Sequence, residues 1–310
     1  MISVFIDGSA GTTGLRIRER LASRKDLTLM ILPEDLRKDP SARKDALNTA
    51  DISFLCLPDA AAEEAVSFVT SAEAVVIDTS TAHRTADGWT YGFPELAGQR
   101  EKIVSAKRIA NPGCHATGFI SLVAPLVASG LLRPDVRLSC FSLTGYSGGG
   151  KKMIADYESP DVSPLFSAPR QYGLSQTHKH LPEMAKVCGL DHAPVFCPVV
   201  APYYAGMEVT VPLTPAETSA SPEEIREVYR SYYRGGLIRF ADAPDESGFL
   251  SACAFAGRDD LEVAVFGGPE RMLLVSRFDN LGKGASGAAI QNMNLALGLD
   301  ETEGLVKGSE

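Results

Sequence analysis

Ile2-Ser3-Val4-Phe5-Ile6-Asp7-Gly8-Ser9-Ala10-Gly11-Thr12-Thr13-Gly14 follows the first methionine, and this stretch decides the fold. An apolar run long enough for one strand ends in a glycine turn, and the amphipathic stretch TGLRIRERLASR (residues 13–24) continues it as a helix. The glycine spacing is GxxGxxG rather than GxGxxG. Its place between a strand and a helix carries the assignment. Glycines there allow a tight turn, let backbone N–H groups approach a pyrophosphate, and aim it at a helix N-terminus whose dipole favours an anion. Gly8, Gly11, Thr12, Thr13 and Gly14 are therefore the candidate cofactor-binding residues.

Outward from that turn, LTLMIL (27–32), DISFLCLP (51–58) and AVVIDTS (74–80) read as further strands, and AAAEEAVSFVT (60–70) reads as a helix between two of them. Strands alternating with helices predict a parallel sheet with crossover helices. The second strand runs into Glu34-Asp35-Leu36-Arg37-Lys38, where the cofactor's ribose is read in this kind of fold. Glu34 suits a ribose hydroxyl, and Arg37 or Lys38 suits a 2′-phosphate, so the residues leave NAD and NADP both open. From Val136 the texture changes to longer β-rich segments, VRLSCFSLT, APVFCPVV, GMEVTVPLT and LEVAVFG, separated by turn-rich loops. The expected fold class is α/β: a Rossmann-type dinucleotide-binding domain and an α+β domain with a mainly antiparallel sheet. The first domain is expected over 1–113, completed by a C-terminal helix within 284–310 (GASGAAIQNMNLALGL), and the second over 114–283.

The 310 residues suffice for two cores, and 45% hydrophobic with 22% charged residues is an ordinary globular composition. No apolar run is long enough to span a bilayer, and no export signal opens the chain, so a cytoplasmic location and no membrane partner are expected. A net charge of −9 argues against a broad nucleic-acid surface.

Six cysteines without a CxxC motif make neither a disulfide framework nor a zinc site. Cys56, Cys140 and Cys197 lie in strand-like apolar runs and read as packing. Cys114 differs. Asn111-Pro112-Gly113-Cys114-His115 places it on a Pro-Gly turn ahead of the apolar helix that runs through Phe119–Leu131. At a helix start, unpaired N–H groups and the dipole favour thiolate over thiol, and a thiolate attacks acyl carbons to give a thioester. Thr177-His178-Lys179-His180-Leu181-Pro182-Glu183 offers an acid/base partner. If that segment is extended, both imidazoles face one way and Glu183 can join them. His-x-His also suits a metal, but no third ligand cluster accompanies it, and no metal is expected. His83, His115 and His192 stand isolated, with His83 and His192 reading as surface or packing residues.

Gly145-Tyr146-Ser147-Gly148-Gly149-Gly150-Lys151-Lys152 nearly matches a phosphate loop, but Lys152 stands where a hydroxyl residue would hold magnesium. Its glycines, backbone N–H groups, Ser147 and cations suit an oxyanion better than a nucleotide triphosphate.

Together the glycine turn, NPGCHATG, TGYSGGGKK, HKHLPEM and DNLGKGASGAAIQNMN resemble the N-acetyl-γ-glutamyl-phosphate reductases, relatives of aspartate-semialdehyde dehydrogenase, in their compact class. The resemblance runs nearly end to end. It implies NADP as cofactor, a small-molecule acyl phosphate as substrate, a homodimer or homotetramer, and a place in arginine biosynthesis. Carried over residue by residue, it implies Cys114 as nucleophile, His178 as acid/base, His180, Glu183, Ser147 and Gly148 at the substrate, and Asn280 near the nicotinamide. The same chemistry on aspartyl or aminoadipyl phosphate, or a Cys-His acyltransferase or hydrolase without a redox step, are the alternatives.

Overall fold

The structure, a computed structural model, describes residues 1–308. The described chain divides into two compact units, one of Met1–Pro112 and Ala285–Leu305, the other of Gly113–Gly284 and the described residues that follow Leu305.

The first unit alternates strand and helix: β1 (Ile2–Asp7), α1 (Thr12–Leu21), β2 (Leu27–Met30), α2 (Pro40–Thr49), β3 (Ile52–Leu55), α3 (Asp59–Ser67), β4 (Val75–Asp78), β5 (Thr90–Tyr91), α4 (Gln99–Ser105) and β6 (Arg108–Ala110). The strands form one six-stranded sheet in the order β2-β1-β3-β4-β6-β5, with every neighbouring pair parallel. A parallel sheet is covered on both faces, and its strands alternate between two cores. Val4, Ile6, Ile52, Phe54 and Ile77 pack with Ile17 and Leu21 of α1 and Ile103 of α4. Phe5, Leu55 and Val76 pack on the other side with Leu47 of α2 and Ala62 of α3. Asp39 starts α2 by accepting the N–H of Ala42 at 2.8 Å, with Pro40 at the first helical position, where its missing N–H costs nothing.

The second unit holds α5 (Cys114–Ala128), β7 (Ser139–Gly145), a 3₁₀ turn (Tyr146–Gly149), α6 (Gly150–Glu158), β8 (Arg170–Gln171), α7 (Leu181–Cys188), β9 (Val195–Ala201), β10 (Met207–Leu213), α8 (Pro222–Tyr232), β11 (Arg234–Gly235), β12 (Ile238–Phe240), β13 (Leu261–Gly268) and β14 (Arg271–Phe278). These strands form an eight-stranded sheet in the order β11-β12-β13-β14-β10-β7-β9-β8. β7 with β9 and β12 with β13 pair parallel, and the other neighbours antiparallel. The mixed α/β class and the mainly antiparallel second sheet are thus as the sequence predicts. Met207, Val209, Val211 and Leu213 alternate inward along β10. Gly118 lets α5 lie close on this face, since a Cβ there would stand 2.4 Å from Val209 Cγ2.

Helix α5 contains Pro125, which has no N–H for the carbonyl of Ser121 four residues earlier. Tyr233, just past α8, donates its hydroxyl to that carbonyl at 2.7 Å, and Tyr229 donates to the next one, Leu122, at 2.6 Å. A π-helical turn at Gly282–Ser286 leads into α9 (Gly287–Ala296), whose Ala289, Ile290 and Met293 belong to the core of the first unit.

Candidate active site

At the C-terminal edge of the parallel sheet the three glycines are not equivalent. Gly8 has φ +83°, and a Cβ there would stand 2.3 Å from the Cys56 carbonyl oxygen. A Cβ on Gly14 would meet the Gly8 carbonyl oxygen at 2.5 Å. Gly11 has more room, with 3.4 Å to its nearest neighbour, and its N–H closes the turn onto Gly8 O at 2.9 Å. Thr12 and Thr13 are the first residues of α1, and the buried Thr12 hydroxyl has no hydrogen-bond partner among the described residues. An unsatisfied hydroxyl beside the free N–H groups of a helix start suits a phosphate.

Beside this turn a crevice of about 790 Å³ is lined by Gly8, Ser9, Ala10, Glu34, Arg37, Lys38 and Arg43. Arg37 is ion-paired with Glu34, so the two signs that leave the cofactor choice open in the sequence partly neutralise each other. Arg43 of α2 was not singled out from the sequence. Its Nε lies 3.0 Å from Asp7 Oδ2 and its Nη1 2.8 Å from Glu64 Oε2, while the buried Nη2 has no hydrogen-bond partner among the described residues. Burial pushes the Asp7 carboxyl up, and Arg43 opposes that push. The available signal was Arg43 in the buried stripe with Ala46 and Leu47, at i, i+3 and i+4. Glycine cradle, orphan hydroxyl, helix start and cationic wall together fit a dinucleotide.

In the second unit, Cys114 is the first residue of α5, and Gly113 precedes it without any side-chain cap. The Gly113 N–H donates instead to Glu183 Oε1 at 2.8 Å, from the first turn of α7, with Glu183 only 1% exposed. A Cβ on Gly284 would stand 2.9 Å from Cys114 Cβ, so backbone is all that fits against the cysteine on that side. His178 and His180 meet with ring centroids 4.8 Å apart, nearly perpendicular. They do so in a turn and not in an extended segment: His180 is α-helical in conformation (φ −84°, ψ −12°), and its N–H donates to His178 Nδ1 at 3.2 Å. That acceptance places the proton of a neutral His178 on Nε2.

His115 is not isolated. Its ring lies 5.5 Å from those of both His178 and His180. Nδ1 is 2.6 Å from Ser142 Oγ and Nε2 is 2.6 Å from the Tyr172 hydroxyl. Burial first, then the nearby His178 charge, hold its pKa down at about 3, so the imidazole is neutral. Burial, and then the charge of Cys114, push the Tyr172 phenol well up. Ser142 and Tyr172 were missed because single polar residues in a strand and a loop carry no spacing signal.

Ser147 and Gly148 fall in the 3₁₀ turn after β7, and Ser147 is buried. Asn280 joins this group: its Nδ2 donates to Ser147 Oγ at 3.0 Å, and its Oδ1 accepts the Gly206 N–H at 2.9 Å. Lys151 and Lys152 point into solvent at the start of α6. Cys56 and Cys140 are held as thiols by burial, which pushes Cys56 up to about 12 and Cys140 higher still. No group of three or more His, Cys, Asp or Glu side chains arranged for a metal occurs among the described residues, and no helix there is long and apolar enough to cross a membrane.

Residues 3–106 match the semialdehyde dehydrogenase NAD binding domain and residues 114–280 the semialdehyde dehydrogenase dimerisation domain. A Nostoc N-acetyl-gamma-glutamyl-phosphate reductase 2 is 44% identical over 97% of the chain and 98% of its own length. The chain belongs to the N-acetyl-γ-glutamyl-phosphate reductase branch of the semialdehyde dehydrogenase family. This reductase is therefore an oxidoreductase of amino-acid biosynthesis that uses a nicotinamide cofactor. Its fold is also that of aspartate semialdehyde dehydrogenase II from Vibrio cholerae, solved with ASA (TM-score 0.72, 17% identity, 96% of this chain and 98% of that one). The Candida albicans aspartate semialdehyde dehydrogenase, solved with NADP, aligns at TM-score 0.68 and 15% identity over 96% of this chain and 99% of that one.

Proposed function

We propose that this reductase converts N-acetyl-L-glutamyl 5-phosphate to N-acetyl-L-glutamate 5-semialdehyde with NADPH, through a thioester on Cys114, as a step of arginine biosynthesis. The observation that carries the reading is Cys114 at the open start of α5, its preceding amide held by Glu183, in a unit where Tyr172 feels its charge. Cys114 Sγ attacks the acyl carbon, the C–S bond forms, and the C–O bond to phosphate breaks, releasing inorganic phosphate. Bound at Gly8, Gly11, Thr12, Thr13 and Gly14, the cofactor supplies the hydride that brings the thioester carbon to the aldehyde level. His178 donates its Nε2–H as a hydrogen bond to the resulting oxyanion and keeps that proton, and the carbonyl then re-forms as the C–S bond breaks and Cys114 departs as thiolate. Ser147 and Gly148, ordered by Asn280, and His180 border the substrate, while Glu183 fixes the turn that presents Cys114.

Lys38 in the crevice and the buried Arg43 Nη2, which has no hydrogen-bond partner among the described residues, support NADP over NAD. The matched dimerisation domain supports a homodimer or homotetramer, and we place the enzyme in the cytoplasm. The test is absorbance-monitored NADPH oxidation with N-acetylglutamyl phosphate beside aspartyl and aminoadipyl phosphates. Cys114→Ser should lose nearly all turnover yet still bind NADPH. Normal turnover by the serine variant would refute the thioester, and preference for another acyl phosphate would refute the substrate.

A further inference from the structure

The assigned chemistry leaves the buried His115 imidazole unused. His115 is 3% exposed, directly follows the nucleophile, and is held at both ring nitrogens at 2.6 Å, by Ser142 on one side and Tyr172 on the other. Phe196 packs edge-on against both His115 and His178, with centroids 5.2 and 5.1 Å away. Both nitrogens of this core histidine are thereby satisfied, and the ring bridges two hydroxyls. The second of these belongs to a residue that is only partly buried, whose ring lies 6.0 Å from His178. The Tyr172 backbone is fixed as well, its N–H donating to Pro198 O at 3.0 Å.

We propose that His115 is a positioning residue that turns the Tyr172 hydroxyl toward the acyl group on Cys114, making Tyr172 a second hydrogen-bond donor to the acyl oxygen beside His178. The proposal rests on the thioester reading. A neutral imidazole donates at one nitrogen and accepts at the other. When Ser142 Oγ–H donates to Nδ1, Nε2–H donates to the Tyr172 oxygen, and the phenolic proton is left to point at the substrate. Because burial keeps Tyr172 protonated, its role is to donate and not to remove a proton. In the reductive step the oxygen of the tetrahedral adduct carries the developing negative charge, and a fixed donor there acts where charge appears.

The experiment is a double-mutant cycle on the intact enzyme with Tyr172→Phe, His115→Phe and the pair, read as kcat and KM separately. Each single variant should lose about a hundredfold in kcat, the usual effect of removing one such donor, with KM little changed. The pair should be no worse than the poorer single variant. Ser142→Ala, which keeps the ring in place, serves if His115→Phe fails to fold: it should show a smaller kcat loss that disappears in the Tyr172→Phe background. Wild-type kcat in Tyr172→Phe, or losses that multiply in the pair, overturns the proposal. Cys114→Ser separates the two levels: if it retains turnover the thioester reading fails, whereas a dead Cys114→Ser beside a normal Tyr172→Phe removes only the role given to His115 and Tyr172.

Discussion

The backbone N–H of Gly113 donates to Glu183 Oε1 across 2.8 Å, joining the residue before the nucleophile to the first turn of another helix. Gly113 has no capping side chain, and Glu183, accepting the N-cap N–H, performs from α7 what the Glu or Gln of a capping box performs from within its own helix. Glu183→Ala leaves that buried donor unsatisfied, at a cost of about 1–3 kcal/mol. We expect a lowered urea midpoint and a fall in kcat larger than the change in NADPH affinity. Glu183→Gln keeps an acceptor oxygen and should recover most of the stability. Equal midpoints for the alanine variant and wild type would remove Glu183 as the cap.

Tyr233 and Pro125 make a second compensated pair. The carbonyl of Ser121, deprived of its helical partner by Pro125, is satisfied by the Tyr233 hydroxyl at 2.7 Å. Tyr233→Phe should destabilise by about 1–3 kcal/mol in the wild-type background. In a Pro125→Ala background the new alanine N–H can reach Ser121, and the same substitution should cost measurably less. Denaturation midpoints of the four proteins give the coupling directly, and additive losses would mean that the proline is not what Tyr233 serves.

These two contacts mark where the sequence stops being readable. β1, the glycine turn and α1 are legible because a strand period, turn chemistry and a helical period agree over twenty residues. β5 and β6 are two and three residues long, too short to show any period. β14 escapes notice because Arg271 opens it and Arg277 breaks its apolar run one residue before its end. Arg277 is buried only because Glu262 and Glu246 lie at 2.9 and 2.6 Å, partners the sequence does not announce. Cys114 is legible from its Pro-Gly turn. His115 is not, since what makes it a partner of His178 is the packing of α5 against the sheet that carries Ser142. The spacing of His178 and His180 is legible, but a turn and not an extended strand brings them together.

His115 also sets an acid limb. Its pKa stands near 6.5 unfolded and about 3 folded, lowered by burial and then by His178. Between those values the unfolded chain binds more protons, so this group makes stability rise with pH, by at most about 1.4 kcal/mol per pH unit. Below pH 3 its whole penalty is present, and above pH 6.5 it vanishes. Replacing the ring by Asn, which does not titrate, removes that contribution. The stability deficit of His115→Asn relative to wild type should therefore shrink as pH falls from 6.5 to 4. A deficit constant over that range in urea titrations would show that His115 does not resist protonation.

Lys38 tests the cofactor choice without touching the core. It lines the crevice, is exposed, and has no hydrogen-bond or ion-pair partner among the described residues, whereas Arg37 is held by Glu34 and Arg43 by Asp7 and Glu64. A charge-assisted contact to a 2′-phosphate is a strong one, and only NADPH carries that group. Lys38→Glu should weaken NADPH binding by at least about tenfold, or about 1.4 kcal/mol, and leave NADH binding nearly unchanged. Raising the salt concentration should weaken NADPH binding in the wild type and act much less on the variant, because the lost contact is the screened one. Arg43→Met is the informative contrast. It removes a cation from the same wall but also strips buried Asp7 of its partner, so it should lower thermal stability as well as affinity for both cofactors. If Lys38→Glu weakens NADH as much as NADPH, the crevice does not read the 2′-phosphate through Lys38, and the preference must be set elsewhere on its wall.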